Sequence, residues 1–437
     1  MELVDLLVRN AAEVVTCRGA SDGVPGTALN DLEVIPDGAV AVRDGRIFAV
    51  GTTRELDAQL RARNTMDAAG LLVSPGLVDP HTHLVHAGSR HEEWERRVIG
   101  RPAGLASGIR WTVEQTRQAS DATLTGAALA DLNTMLAHGT TTVEAKSGYG
   151  LDRATELRLL RIVGSLRHPI EVVPTYLGAH VLPGEFAHDR AGYVALVIET
   201  VAEAASLAEY CDVCCDPVGF TVEECRSIAT AASRNGLRLR VHADQTGHAG
   251  GIKLATELGA SSADHLEHAT DDDIRGLASS RTIGVLLPGV THHMLEMTPG
   301  VADGRLQEAV YPFMPLLARR LVESGARLAL ATDYNPGTCP TLSMQTIMQL
   351  AARLYRLSYA EIWQMSTINA AAALDRGHDR GSLEPGKRAD LVVWRVPHHG
   401  MVINRFGSNL VHTVIKNGRM FPAGTATPVA PDRTRAT

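Results

Sequence analysis

Histidines recur in this chain where apolar runs stop. The run from Leu71 to Val78 leads through Asp79-Pro80 into His81-Thr82-His83. On an extended strand, residues two apart project to the same side, so both imidazoles are presented together. Two neutral imidazoles converging at a strand end make half a site for a divalent cation such as zinc. An isolated His-x-His is more often a pair of surface histidines at a turn, but the rest of the chain shifts that balance. His180 closes Leu177-Gly178-Ala179, His242 follows Leu237–Val241, His265 follows Ser262–Asp264, and Asp333 follows Leu328–Thr332. His81, His83, His242 and Asp333 supply three nitrogens and one carboxylate. This mixture suits one Zn²⁺ and also accommodates Fe²⁺ or Mn²⁺, and water at such an ion loses a proton near neutral pH. His265 is left over as a ligand and suits polarising a substrate carbonyl or shuttling a proton. Asp333 combines two roles, binding metal and accepting the proton of the attacking water.

The elements that must position these residues are short apolar strands alternating with amphipathic segments such as Ala154–Leu166 and Thr221–Asn235. The strands are expected at Leu71–Asp79, Thr140–Ala145, Ile170–Tyr176, Cys211–Asp216, Leu237–Val241, Ser262–Asp264, Ile283–Leu287 and Leu328–Thr332. Eight βα repeats predict an α/β fold closed as a (β/α)8 TIM-like barrel, with chemistry at the C-terminal ends of the strands. The barrel is assigned to residues 71–378. Residues 1–70 and 379–437 read as β segments, with Asp44-Gly45 and Asn417-Gly418 as hairpin turns. Neither flank is large enough for its own core, so the two are expected to combine into one small β-sandwich, followed by a loose tail after about residue 422.

At 437 residues, with 45% hydrophobic and 21% charged residues, the composition is that of an ordinary globular enzyme. A formal charge of −7 gives no reason to expect nucleic acid as a partner. No apolar run reaches the roughly 18 residues of a membrane span. Acidic residues stand near the N-terminus where a signal peptide carries lysines or arginines, so a cytoplasmic location is expected. Six cysteines do not make a disulfide framework, and Cys211, Cys214 and Cys215 read as small core residues of a strand.

Several stretches are more specific. They are Pro75 to Leu84, with His86-Ala87-Gly88-Ser89-Arg90; Glu144 to Leu151, containing Lys-Ser-Gly-Tyr-Gly; and Leu177 to His180. Ser262 to Leu266, Leu286 to Gly289 and Ala331 to Gly337 complete the set. Through them the chain, from about residue 71 to 420, resembles the amidohydrolase superfamily and within it the imidazolonepropionases. The resemblance implies a mononuclear metal on His81, His83, His242 and Asp333. It also implies that Arg90 binds a substrate propionate, that Tyr149 and His180 line the ring pocket, and that Asn335, Gly337 and Thr338 approach the ligand. Relatives of this plan are commonly homodimers. The implied reaction is hydrolysis of 4-imidazolone-5-propionate to N-formimino-glutamate, the substrate being a small molecule with a carboxylate side chain. Arg90 also precedes Glu92 and Glu93, either of which could pair with it.

Two features depart from the family pattern. Many relatives carry glutamate where this chain has Gln245, which can hydrogen-bond a ring but cannot titrate. The stretch Arg101 to Trp111 lacks the usual tyrosine and triple glycine. Both departures raise an alternative, hydrolytic removal of sulfur (or deamination) on a ring such as 3-(5-oxo-2-thioxoimidazolidin-4-yl)propionate. His248, His268, His292 and His293 are expected at the barrel rim.

Overall fold

The computed structural model describes residues 1–102, 104, 107–295 and 316–422. The tail expected after residue 422 lies outside the described residues, as do positions 103, 105 and 106 of the altered stretch.

The chain opens with β1 (Glu2–Val15), β2 (Val34–Arg43), β3 (Arg46–Thr52), β4 (Leu60–Asp67) and β5 (Leu72–Pro75). Eight barrel strands follow: β6 (Leu77–Asp79), β7 (Thr140–Lys146), β8 (Glu171–Ala179), β9 (Tyr210–Cys215), β10 (Arg238–Ala243), β11 (Ser262–His265), β12 (Ile283–Leu286) and β13 (Leu328–Leu330). They form one parallel sheet in sequential order, β6 to β13. Every residue of β7, β9, β11, β12 and β13 is buried, as a parallel sheet covered on both faces requires.

Bonds at the barrel mouth close the seam between β13 and β6. Asp333 N–H donates to the His81 carbonyl (3.0 Å), and His83 N–H donates to the Tyr334 carbonyl (2.9 Å). Thr332 clamps the base of that seam, its N–H and hydroxyl both donating to the Asp79 carboxylate (3.0 and 2.6 Å). The bonds that close the barrel therefore also bring the first histidine pair beside Asp333.

Helices cover the barrel because their sequences are capped and amphipathic. Asp152 caps the helix Arg153–Ser165, which buries Leu157, Leu160 and Val163. Thr221 and Glu224 form a capping box on Val222–Arg234, which buries Ile228, Ala229 and Ala232. Each such leucine or isoleucine contributes roughly 1.5–3 kcal/mol by leaving water. All six cysteines are free and buried, in agreement with the core assignment.

The run expected as a single strand, Leu71–Asp79, is divided. β5 pairs antiparallel with β14 (Leu391–Trp394), whereas β6 pairs parallel with β7. Gly76 makes the crossing between sheets. A Cβ there would collide with the Thr141 side chain, so the chain needs glycine to pass this close to the barrel.

Both chain ends share one sheet. β15 (Val411–Lys416) and β16 (Arg419–Pro422) extend it beyond β14, giving the order β16-β15-β14-β5-β1-β2-β3, with β4 also paired to β1. Val8, Val40, Val73, Leu391 and Ile415 meet in a common core. The Asp44-Gly45 and Asn417-Gly418 turns have positive φ at both residues, which fits two-residue hairpins. No helix among the described residues is long and apolar enough to cross a membrane.

Candidate metal centre

Thr82 decides which way its neighbours face. Its N–H and hydroxyl both bond to Glu144 (3.1 Å to Oε2, 2.5 Å to the carbonyl), leaving His81 and His83 to point the other way, over the barrel axis. His242 enters from β10, with its N–H donating to Asp212 Oδ1 (3.2 Å). Asp333 follows β13 in a left-handed conformation (φ 51°), an arrangement that aspartate tolerates better than most residues.

These elements bring the four expected ligands together. His81 Nε2 and His83 Nε2 lie 3.3 and 3.4 Å from Asp333 Oδ1. The His242 ring stands 4.5 Å from the His81 ring and 5.6 Å from that of His83. All four residues are buried, and among the described residues His81 Nε2, His242 Nε2 and Asp333 Oδ1 have no hydrogen-bond partner. Buried lone pairs left unsatisfied are costly, and several converging on one point are what a cation would repair. His265 and His180 crowd the same space. His81, His242 and His265 form one group of candidate donors, and His83, His180 and His242 form another.

A charged layer lies directly beneath. His81 Nδ1 is 2.7 Å from Asp264 Oδ2, and His242 Nδ1 is 3.0 Å from Asp212 Oδ2. Lys146 Nζ bonds Asp212 and Glu144 (2.6 and 2.9 Å), and Arg240 Nη2 bonds Asp264 (3.2 Å). All five of these charged residues are fully buried. Burial opposes the charge on Asp264, but Arg240, His81 and Lys146 overcome it and hold the carboxyl well below its usual range. Asp212 is likewise depressed against burial, by His242 and Lys146. With Asp264 accepting from His81 Nδ1–H, the lone pair of His81 is left on Nε2, on the side of Asp333.

Burial lowers His83 and His242 to about 4, so both rings are neutral and available as ligands at pH 7. Burial also drives His180 well below its ordinary value. At His265 burial acts in the same direction but Glu267 outweighs it, raising the ring to about 9. His265 Nδ1 lies 3.6 Å from Glu267, and His265 and Leu266 both hold positive φ (86° and 75°), a local strain of the kind found at functional sites.

The expected substrate contacts are distributed around this centre. Tyr149 is buried, its ring 5.4 Å from His83 and 5.6 Å from His180. His180 stacks on His83 (5.0 Å), and its Nδ1 donates to the Gly148 carbonyl (2.9 Å), which leaves Nε2 as an acceptor. Arg90 pairs with Glu93, its Nε and Nη2 each 2.6 Å from the carboxylate, while Gly337 packs against the guanidinium. Thr338 Oγ1 lies 3.5 Å from Asp333 Oδ2.

The Asn335 amide bonds the Asp333 carbonyl, the Thr338 hydroxyl and the N–H groups of Gly337 and Thr338. Those four bonds brace the loop and occupy the donor and acceptor positions of the amide. Gln245 is half-buried and makes no hydrogen bond to any described residue. His248 sits half-exposed near Asp244 and Asp273, and His293 stacks on Trp94, both outside the central group.

Sequence reasoning missed the charged layer and one further carboxylate. Glu156 is buried and accepts from the N–H groups of Gly148 (2.9 Å), Gly150 (2.7 Å) and Leu151 (2.8 Å), fixing the loop that carries Tyr149. The available signal was a lone charge inside an apolar run: Asp212 in Cys-Asp-Val-Cys, Arg240 in Leu-Arg-Val-His, and Glu156 on the apolar side of its helix.

Residues 72–421 match the Amidohydrolase family. An imidazolonepropionase of Geobacillus sp. (strain WCH70) is 41% identical over 429 residues, covering 95% of this chain and 97% of that protein. Another, from Symbiobacterium thermophilum, is 42% identical over 436 residues, covering 96% of this chain and 98% of the relative. Among solved structures, an adenosine deaminase from Xanthomonas campestris with bound zinc overlays with a TM-score of 0.67 at 21% identity, across 96% of this chain and 93% of that one. At that identity the overlay speaks for the fold alone.

Proposed function

The chain belongs to the amidohydrolase family, among its imidazolonepropionase-like members, and we propose that it hydrolyses 4-imidazolone-5-propionate to N-formimino-glutamate. The observation that carries this reading is the convergence of His81, His83, His242 and Asp333 in a chain about 40% identical to imidazolonepropionases over nearly its whole length. In this reading those four side chains hold one divalent ion, Zn²⁺ or Fe²⁺, and their unsatisfied buried atoms support that fit. Such an ion supplies Lewis acidity, polarising an oxygen and making water easier to deprotonate.

The chain's own residues do the rest. Water adds to the ring carbonyl carbon, the carbon–nitrogen bond breaks, and the nitrogen takes a proton. Asp333 takes the proton from the attacking water and passes it to the departing nitrogen. His265, whose ring lies 5.6 Å from that of His81, orients and polarises the carbonyl oxygen. His180 Nε2 accepts from a ring N–H, and Tyr149, whose hydroxyl burial keeps protonated, donates within the same pocket. Arg90 receives the propionate on the Nη1–Nη2 edge that Glu93 leaves open. Gln245 cannot carry a proton, so Asp333 does so without a second acid from β10. We further propose that it serves histidine degradation as a cytoplasmic homodimer.

Neither the site nor the relatives favour the 2-thioxo ring. A panel of imidazolone, hydantoin and thiohydantoin propionates, followed by ring ultraviolet absorbance, tests the reading. Turnover of the imidazolone alone is expected. Preference for another ring, by protein carrying its metal, would overturn it.

A further inference from the structure

Glu93 does more than an ordinary helix-surface ion pair. An exposed i,i+3 pair on a helix contributes little. Here both side chains are largely buried, at 11% exposure for Arg90 and 13% for Glu93. Glu93 takes two edge nitrogens of the guanidinium at once, and its Oε2 also accepts the N–H of Gly108 (2.7 Å), where the helix Gly108–Gln118 begins. Burial works against the charge on Glu93, but the bonds from Arg90 and Gly108 outweigh it and hold the carboxyl below its ordinary value.

The opposite side of the guanidinium is also fixed. Gly337 does not have positive φ, so its backbone conformation does not require glycine. Its requirement is steric, because a Cβ at 337 would run into Arg90 Nη1 and Cζ. Arg90 is thus held between a carboxylate of the helix it precedes, His91–Val98, and a bare backbone from the loop after β13. A long side chain that is free to rotate would lose rotamer freedom on binding; one already held does not.

We infer that Glu93 is a positioning residue for carboxylate recognition: it holds the Arg90 guanidinium against Gly337 so that a single edge, Nη1–Nη2, faces the substrate's carboxylate. This rests on the reading of Arg90 as the propionate contact. Glu93 then determines selectivity for an acidic side chain through Arg90, and Gly337 limits where the guanidinium can stand. Arg97 also approaches Glu93 (3.9 Å).

The test compares the imidazolone propionate with the corresponding neutral propionamide, using metal-loaded wild type, Glu93→Gln and Gly337→Ala. Wild type should favour the acid. Both variants should raise KM for the acid by about tenfold or more, and Glu93→Gln should change kcat by less than about threefold and leave KM for the amide unchanged. That ratio is insensitive to general loss of structure, and metal content and melting temperature, measured alongside, should match wild type. If wild type does not distinguish acid from amide, the reading of Arg90 fails. If it does, and Glu93→Gln keeps the wild-type ratio or binds the acid more tightly, the positioning role is refuted. Should Gly337→Ala fail to fold, Glu93→Gln, which preserves volume, decides alone.

Discussion

Asp264 Oδ2 stands 2.7 Å from His81 Nδ1, and the same oxygen is bonded by Arg240. This one carboxylate fixes the tautomer of the first ligand and connects it to a buried ion network. The geometry of the metal centre is thereby set from below, by groups that would never touch a substrate.

Replacing Asp264 with Asn keeps the volume but removes the charge that favours Nδ1–H on His81. Affinity for the divalent ion should fall about 10- to 100-fold, with activity recovered at high metal concentration. Titration of the apoprotein with zinc measures this, and unaltered affinity would show that His81 does not need the carboxylate.

Arg240 is wholly buried, bonding Asp264 and the carbonyls of Pro80 and Ala373 (both 2.7 Å). Arg240→Leu would leave Asp264 short of a cation and two carbonyls short of a donor. A loss of about 3–5 kcal/mol is expected, read by denaturant unfolding. A variant as stable as wild type would mean that water enters and replaces the guanidinium.

Glu156→Gln should act on both stability and binding. A Gln side chain turns an amide N–H₂ towards backbone donors that now meet a carboxylate. The expected cost is about 1–3 kcal/mol, together with a higher KM, because the Gly148–Leu151 loop carries Tyr149 and supplies the carbonyl that holds His180. Loss of stability with unchanged KM would confine Glu156 to a role in the scaffold.

His168 lies just before β8 and is a suitable group for a pH test. Its Nδ1 accepts from Ile170 N–H (3.1 Å), its Nε2 faces Asn133 Oδ1 (3.2 Å), and burial lowers it to about 4. Between pH 4 and about 6.5 the unfolded ring binds a proton that the folded ring refuses, so stability should decline as pH falls through that window. His168→Gln should reduce the slope of the melting-temperature profile there and leave its slope above pH 7 unchanged. Parallel profiles would exclude His168 as the source.

The strand order and the meeting of His81, His83, His242 and Asp333 were legible because each strand is a compact apolar run ending in a polar residue, as in Leu237–Val241 before His242. The crossing at Gly76 was not legible: Leu71 to Asp79 is evenly apolar, and only the packing of Thr141 shows why the chain must change sheets there. Asp212, Glu144 and Arg240 were hidden for a related reason. A charge within a strand gains meaning only when its neighbour across the sheet is known, and Arg240 stands beside Asp212 in register. The occupied amide of Asn335 likewise depends on loop geometry that spacing alone does not encode.

Anomalous diffraction from crystals of the metal-loaded protein, measured at the absorption edge of the bound element, tests the metal centre most directly. One ion per chain is expected, within about 2.0–2.2 Å of a nitrogen of His81, His83 and His242 and an oxygen of Asp333. An ion held by other residues, or no ion in protein that still opens the ring, would contradict it.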